Sequence, residues 1–240
     1  MSTISNALSL ELVRYRAWFE AADPLRLPDY PGSTWRGALG HALKVAACTH
    51  PGTRCSACPE HRDCPYPPLF DVEDGAEPFR PYVLEPQVFS GYFLPGNLLG
   101  LDFVLLGWVN GWLPLLIDAL QHLGQQGLGM REPARLVLIE VQQQMGPAGD
   151  AWVSILQPGQ PGLIAAPLEP FQAPPAPRRA RLDLITPLKL KYRGSLVKPD
   201  TFTAKDLLIA LARRVEVCAS VMGSCRSPPS QGAGWMVRRP

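Results

Sequence analysis

Charge of one sign is scarce in this sequence: 23 Lys and Arg against 21 Asp and Glu leave a formal net charge of +2. Bulk charge alone therefore does not announce a polyanionic partner. Long hydrophobic runs are lacking too. The most apolar stretch, Leu98 to Leu120, is interrupted by Asp102, Asn110, Pro114 and Asp118, and it reads as a buried strand followed by a helix rather than a membrane span. The N-terminus lacks a basic stretch leading into an apolar segment, because Glu11, Arg14 and Arg16 interrupt the pattern. The expectation is a cytoplasmic protein with no secretory signal and no membrane partner. Apolar residues make up 46% of 240, enough for one large core or two small ones.

What is present is unevenly placed. Arg178, Arg179, Arg181, Lys189, Lys191, Arg193 and Lys198 crowd one segment, and Arg213, Arg214, Arg226, Arg238 and Arg239 follow. Acids collect between Glu60 and Glu85. The basic C-terminal third either neutralises phosphates or forms a solvated face, and charge alone weighs the two equally. Proline, at 27 residues, concentrates at 59–95 and 158–177. The second stretch reads as a linker between two halves.

Periodicity supplies the elements. Leu8 to Phe19 alternates as a strand. After a turn-rich segment, Ser33 or Thr34 is expected to cap a helix to about Ala47, with Trp35, Leu39, Leu43 and Ala46 on one face. Tyr82 to Val88 and Gly100 to Val109 read as strands, Leu113 to Leu123 as a helix, and Leu136 to Gln142 as a strand. The glycines from Gly124 to Gly129 read as a helix C-cap turn or as backbone open to phosphate, near Arg131 and Arg135. This β-α-β-β-α-β order is ferredoxin-like or RRM-like. The second half reads as a reduced copy: a strand at Trp152 to Leu156, an alternating segment from Ala180 to Tyr192, and a helix from Thr203 with Leu207, Leu208, Leu211, Val215 and Ala219 in an apolar stripe. The fold expected is α+β, with tandem ferredoxin-like (RRM-like) domains at 1–145 and 146–240, the second incomplete. A cysteine-containing insertion at 48–95 interrupts the first.

Cys48, Cys55, Cys58 and Cys64 place four thiols within one short stretch. Cys55-x2-Cys58 is a knuckle spacing for tetrahedral Zn. In a cytoplasmic protein such a set points to metal before disulfide. Proline directly after Cys64 also suits an iron–sulfur ligand set. A structural Zn, an iron–sulfur cluster and a metal-free loop are the three readings, and in none is the metal catalytic. Cys218 and Cys225 read as core residues.

Four segments together resemble the CRISPR-associated repeat-processing endoribonucleases, the Cas-six family. They are Tyr30-Pro-Gly-Ser-Thr-Trp-Arg-Gly-Ala-Leu-Gly-His-Ala-Leu-Lys leading into Cys48; Cys55-x2-Cys58-x5-Cys64-Pro-Tyr with Leu69-Phe70 and Pro81-Tyr-Val-Leu-Glu-Pro; Gly124-Gln-Gln-Gly-Leu-Gly before a strand; and Thr186-Pro-Leu-Lys-Leu-Lys before the helix of Arg213-Arg214. The pattern covers about Leu8 to Gly223 and looks most like the reduced type IV branch. It implies a tandem ferredoxin-like protein that binds the repeat hairpin of CRISPR precursor RNA, cleaves it, and stays on the mature crRNA among other effector-complex subunits. One departure is that family members usually continue past the last helix into a strand pair bearing a glycine-rich loop. Here only Gly232-Ala-Gly234 hints at such a loop.

The chemistry implied needs no cofactor for catalysis. The RNA 2′-hydroxyl attacks the adjacent phosphate, a base removes its proton, and an acid protonates the leaving 5′-oxygen. The ends left are a 2′,3′-cyclic phosphate and a 5′-hydroxyl. The resemblance places active-site groups on the helix after Tyr30, making His41 the candidate base or acid. Tyr30 positions or protonates, and Arg36 and Arg26 hold the scissile phosphate. The alternatives for His41 are a satisfied surface histidine, or one turned into the core between Ala38, Ala42 and Val45. The latter leaves Arg26, Arg36 and Arg238 in an arginine-only site. Lys44, Arg131, Arg135, Arg178, Arg179, Lys189, Lys191, Arg193, Lys198, Arg213, Arg214, Arg238 and Arg239 are the candidate RNA contacts. Two other functions stay open: a catalytically inactive crRNA-binding subunit, and a zinc or iron–sulfur protein of DNA or redox chemistry.

Overall fold

The computed structural model describes residues 11–71, 79–88, 90–129, 132–146, 151–159, 162–164, 177–184, 186–192 and 195–223. Arg131, Arg193, Arg226, Arg238, Arg239, Cys225 and Gly232 to Gly234 lie outside them.

Strand β1 (Leu12–Ala21) is the centre of the molecule. Its alternation sends Val13, Tyr15, Ala17, Phe19 and Ala21 into the core and leaves Arg14, Arg16 and Trp18 on the opposite face, as the two-residue period of a strand requires. Strand β5 (Leu98–Leu106) pairs antiparallel along one side of β1, and β6 (Leu136–Met145) along the other. Strand β3 (Tyr82–Pro86) adds to the outside of β5, giving the order β3-β5-β1-β6. Helix α1 (Gly32–Ala47) joins β1 to β3, and α3 (Leu113–Gln126) joins β5 to β6. The expected β-α-β-β-α-β order of the first half is thus the order observed, in a mixed helix and antiparallel-sheet architecture. A short pairing of β2 (Leu25–Leu27) with β4 (Gly91–Phe93) was not anticipated.

Both helices cover the face of the sheet that receives Tyr15 and Phe19. Trp35, Leu39 and Leu43 recur every fourth residue on α1, and Leu113, Leu116, Ile117, Leu120 and Leu123 make the equivalent stripe on α3, an arrangement that buries one helix face. Trp35 meets Phe19 with ring centroids 5.4 Å apart. Tyr15 stacks on Phe103 at 5.2 Å, and its hydroxyl donates to Asn110 Oδ1 at 3.2 Å. Burial pushes that phenol well above its ordinary pKa, so it stays a neutral donor inside the core.

Three expectations need correction. Neither Ser33 nor Thr34 caps α1. The cap position is Pro31 and carries no side-chain cap; the Trp35 N–H reaches the Pro31 carbonyl at 2.9 Å. Proline presets the backbone at a helix start, which moves both hydroxyl residues inside the first turn. The strand of Trp152 belongs to the first sheet: β7 (Ala151–Leu156) pairs antiparallel with β6 as its outer edge, because a short connection brings it straight back along β6. The sheet therefore continues past residue 145. The alternating segment from Ala180 to Tyr192 forms, among the described residues, only the two-residue strand β8 (Lys191–Tyr192), paired with β9 (Ser195–Leu196). Pro187 removes a ladder donor there.

Helix α4 (Ala204–Gly223) opens with a reciprocal cap: Thr203 N–H and Oγ1 both donate to Asp206 Oδ2, at 2.9 and 2.6 Å, and the Asp206 N–H returns to Thr203 Oγ1 at 3.4 Å. Cys218 is buried, as expected. Within its apolar stripe, Leu208, Leu211 and Val215 are exposed. Among the described residues no helix is long and apolar enough to cross a membrane.

Candidate nucleic-acid interface

Arg36 leaves the exposed side of α1 in its second turn. Arg80 stands just before β3, anchored by Nη1 to the Leu69 carbonyl at 2.7 Å. Burial first, and then the positive charge of Arg36, lower the pKa of Arg80 from its ordinary value. The two guanidiniums are therefore near enough to repel one another. Both face Tyr82, whose pKa is raised by burial and partly restored by Arg36 and Arg80. Among the described residues the buried Tyr82 hydroxyl has no hydrogen-bond partner, and Arg36 makes no ion pair. From α4, Arg214 Nη2 donates to the Arg80 carbonyl at 3.0 Å, and its guanidinium lies 4.8 Å from the Phe79 ring centre. Arg80 and Arg214 thus come together at one corner of the sheet, with the charge of Arg36 felt there as well, a set of donors suited to an anion with several oxygens.

The opposite face of the sheet offers a contrast. Arg16 makes a two-point pair with Asp102, Nε to Oδ1 at 2.7 Å and Nη2 to Oδ2 at 3.0 Å. Gln87 Nε2 donates to the same carboxylate at 2.9 Å. Arg14 pairs with Glu85 at 2.8 Å, and Arg16 lies 4.2 Å from the Trp152 ring centre. Those arginines are neutralised by the fold itself.

The remaining candidates are scattered. His41 is exposed on α1, its Nδ1 3.0 Å from Gln126 Oε1; it does not turn into the core among Ala38, Ala42 and Val45. Arg26 sits exposed on β2 opposite Tyr92 of β4, and Tyr30 is 58% exposed in the loop before α1. Among the described residues no hydrogen bond or ion pair joins either of them to Arg36. Arg135 is committed elsewhere: its side chain grips Asp23 at 2.8 and 3.0 Å, with the backbone N–H adding 3.0 Å, and these bonds lower the Asp23 pKa to about 2. Lys44 lies half-buried with its Nζ 5.3 Å from the Tyr66 ring centre. Arg178, Arg179, Lys189, Lys191, Lys198 and Arg213 are exposed. Arg80, Tyr82 and Gln126 were missed by sequence reasoning. The signal for the first two was Arg80 directly before the Pro81-Tyr-Val-Leu-Glu-Pro segment that contains Tyr82, hidden by its proline-rich surroundings.

The four cysteines converge. Cys48 follows the last residue of α1, Cys55–Ala57 forms a 3-10 turn closed by Cys58 N–H to the Cys55 carbonyl at 3.1 Å, and Cys64 leads into the short helix α2 (Tyr66–Phe70). All four line one small cavity of about 20 Å³, with His50 and His61 at its wall. Burial pushes the Cys55 thiol up to about 11. The Cys64 thiol is raised by burial and by the sulfurs of Cys48 and Cys58. Among the described residues no group of three His, Cys, Asp or Glu side chains is already posed to hold a metal.

A protein of Archaeoglobus fulgidus, named only as uncharacterized, is 28% identical over 137 residues, a match covering 55% of this chain and 47% of the relative. The chain thus spans about half the length of that relative. A solved structure described as the Csm3-Csm4 subcomplex in the type III-A CRISPR-Cas interference complex superposes with a TM-score of 0.37 at 12% identity, covering 55% of this chain and 78% of that one. A superposition that loose assigns neither fold nor function. The model of the AF_1859_N family, described as an N-terminal domain, matches residues 10–168, from the start of β1 to beyond β7, and the chain belongs to that family.

Proposed function

We propose that this chain binds the repeat hairpin of CRISPR precursor RNA and cleaves it as a metal-independent endoribonuclease. The observation that supports the reading is the contact of Arg214 with the Arg80 carbonyl at 3.0 Å, beside the unpartnered hydroxyl of Tyr82 and within reach of the charge of Arg36. Like charges gathered in one region, with no carboxylate paired to Arg36 among the described residues, favour a phosphate there. The strand order of the first sheet suits a ferredoxin-like domain, and in this reading an RRM-like second domain carries the basic segment around Lys189 and Lys191.

The step proposed is an in-line transfer at phosphorus. The 2′-oxygen forms a bond to the phosphate, the bond to the 5′-oxygen breaks, His41 takes the 2′-hydroxyl proton, and the departing 5′-oxygen takes a proton from Tyr30 or from water. Arg36 balances charge on the phosphorane. Product held by the same arginines stays with the protein and with other effector subunits.

A second reading, an RNA-binding subunit without catalysis, is favoured by one specific observation. His41 contacts Gln126 whereas Arg36 faces Arg80 and Tyr82, and five residues of helix separate them by about 140° around the axis. The experiment is incubation of the protein with its repeat hairpin in EDTA, beside a hairpin carrying one deoxyribose at the cleavage position. The cleavage proposal expects a cyclic-phosphate end from the first and an intact second strand. Tight binding without product selects the second reading, and severing of the deoxy substrate overturns the 2′-hydroxyl mechanism.

A further inference from the structure

From the loop 48–64 the geometry points to a structural zinc site formed by the thiolates of Cys48, Cys55, Cys58 and Cys64. The loop contains no buried residue. Its side chains that turn inward, neither buried nor exposed, are the four cysteines and two histidines, His50 and His61. Every polar or charged residue between them faces solvent. A stretch of this length with no apolar core is held in one shape by a cross-link rather than by burial.

The cysteines are also spaced along the backbone as a knuckle needs. The 3-10 turn at Cys55 brings Cys58 back over it, and a second pair of turns, His61 N–H to the Cys58 carbonyl at 3.1 Å and Cys64 N–H to the Glu60 carbonyl at 2.9 Å, returns Cys64 to the same cavity. The cavity of about 20 Å³ exceeds the ~10–15 Å³ that one small particle needs. The four thiols line one cavity, and the ion's binding would draw them together. Binding exchanges four thiol protons for one divalent cation, leaving a dianionic centre, and Lys44, which lines the same cavity, offsets part of that charge. Four sulfurs in a tetrahedron suit zinc. The ion would tie the end of α1 to the start of α2, and so hold the Phe70 ring on Gly40.

The test does not involve RNA and is independent of the cleavage reading. Protein purified without chelator is analysed for zinc, iron and acid-labile sulfide, then titrated with an organomercurial while released zinc is followed with a dye. The expected result is one zinc per chain, released as the cluster thiols react. Cys58→Ser is expected to lose the ion to a chelator that wild type resists, whereas His61→Ala and Cys218→Ala retain it. Should Cys58→Ser fail to fold, cobalt added to the stripped wild type decides. Intense visible absorption and a thiolate charge-transfer band support a four-sulfur tetrahedron. A metal-free folded protein that ignores added zinc, a disulfide within the loop, or iron with stoichiometric sulfide overturns the proposal.

Discussion

His41 sits with Nδ1 3.0 Å from Oε1 of Gln126, linking the exposed side of α1 to the last residue of α3. With the amide oxygen accepting, Nδ1–H donates, and a neutral ring then keeps its lone pair on Nε2. That is the tautomer a general base requires, and the bond fixes the ring's direction. Under the cleavage reading, His41→Ala is expected to slow single-turnover cleavage in EDTA by roughly 10²–10⁴-fold with RNA affinity retained. Arg36→Ala is expected to weaken binding and to lower the rate by about 10²–10³-fold. Full activity in the first variant with loss in the second selects an arginine-only mechanism.

A methyl group at Gly40 has nowhere to go. A Cβ built there lies 2.7 Å from Cδ1 and 2.9 Å from Cε1 of Phe70. That ring is itself confined between Tyr66 and Tyr82, at 5.8 and 5.3 Å between centroids. Alanine gains up to ~1 kcal/mol of helix propensity, while overpacking a confined site costs about 1–3 kcal/mol. The clash wins: Gly40→Ala is expected to lower the urea midpoint by the equivalent of about 1 kcal/mol. An unchanged or raised midpoint would show that Phe70 moves freely.

Asp102 holds the outer face of the sheet together through Arg16 and Gln87. Removing one partner of a buried pair costs ~3–5 kcal/mol. The side chain of Arg16 is 24% exposed and water screens part of that loss, so about 2–3 kcal/mol is expected for Asp102→Ala. Chemical denaturation checks it, and a loss below ~1 kcal/mol would mean that the pair is dispensable.

Acid should dissolve the clamp between Asp23 and Arg135. The folded-state pKa of Asp23 is lowered, first by the side-chain hydrogen bond from Arg135, from 3.8 to about 2. Its contribution is therefore present above pH ~4 and is lost as pH falls toward 2. Wild type is expected to melt above Arg135→Ala at pH 6, and the two curves to converge near pH 2. A gap in melting temperature that persists at pH 2 contradicts the assignment.

Much of this molecule follows from local sequence. Alternation in Val13 to Ala21 sets which side chains of β1 enter the core, and Trp35, Leu39 and Leu43 define the buried face of α1, because both periods are properties of the backbone between neighbouring residues. Cysteine spacing likewise announced a cluster before any coordinates. Tertiary structure alone decided which arginines are free to bind. Arg135 and Asp23 are joined across 112 positions, and Arg214 reaches Arg80 across 134. A charge in the sequence carries no record of its distant partner. Only the tertiary packing turned Arg135, Arg14 and Arg16 into structural ion pairs and left Arg36 without one among the described residues.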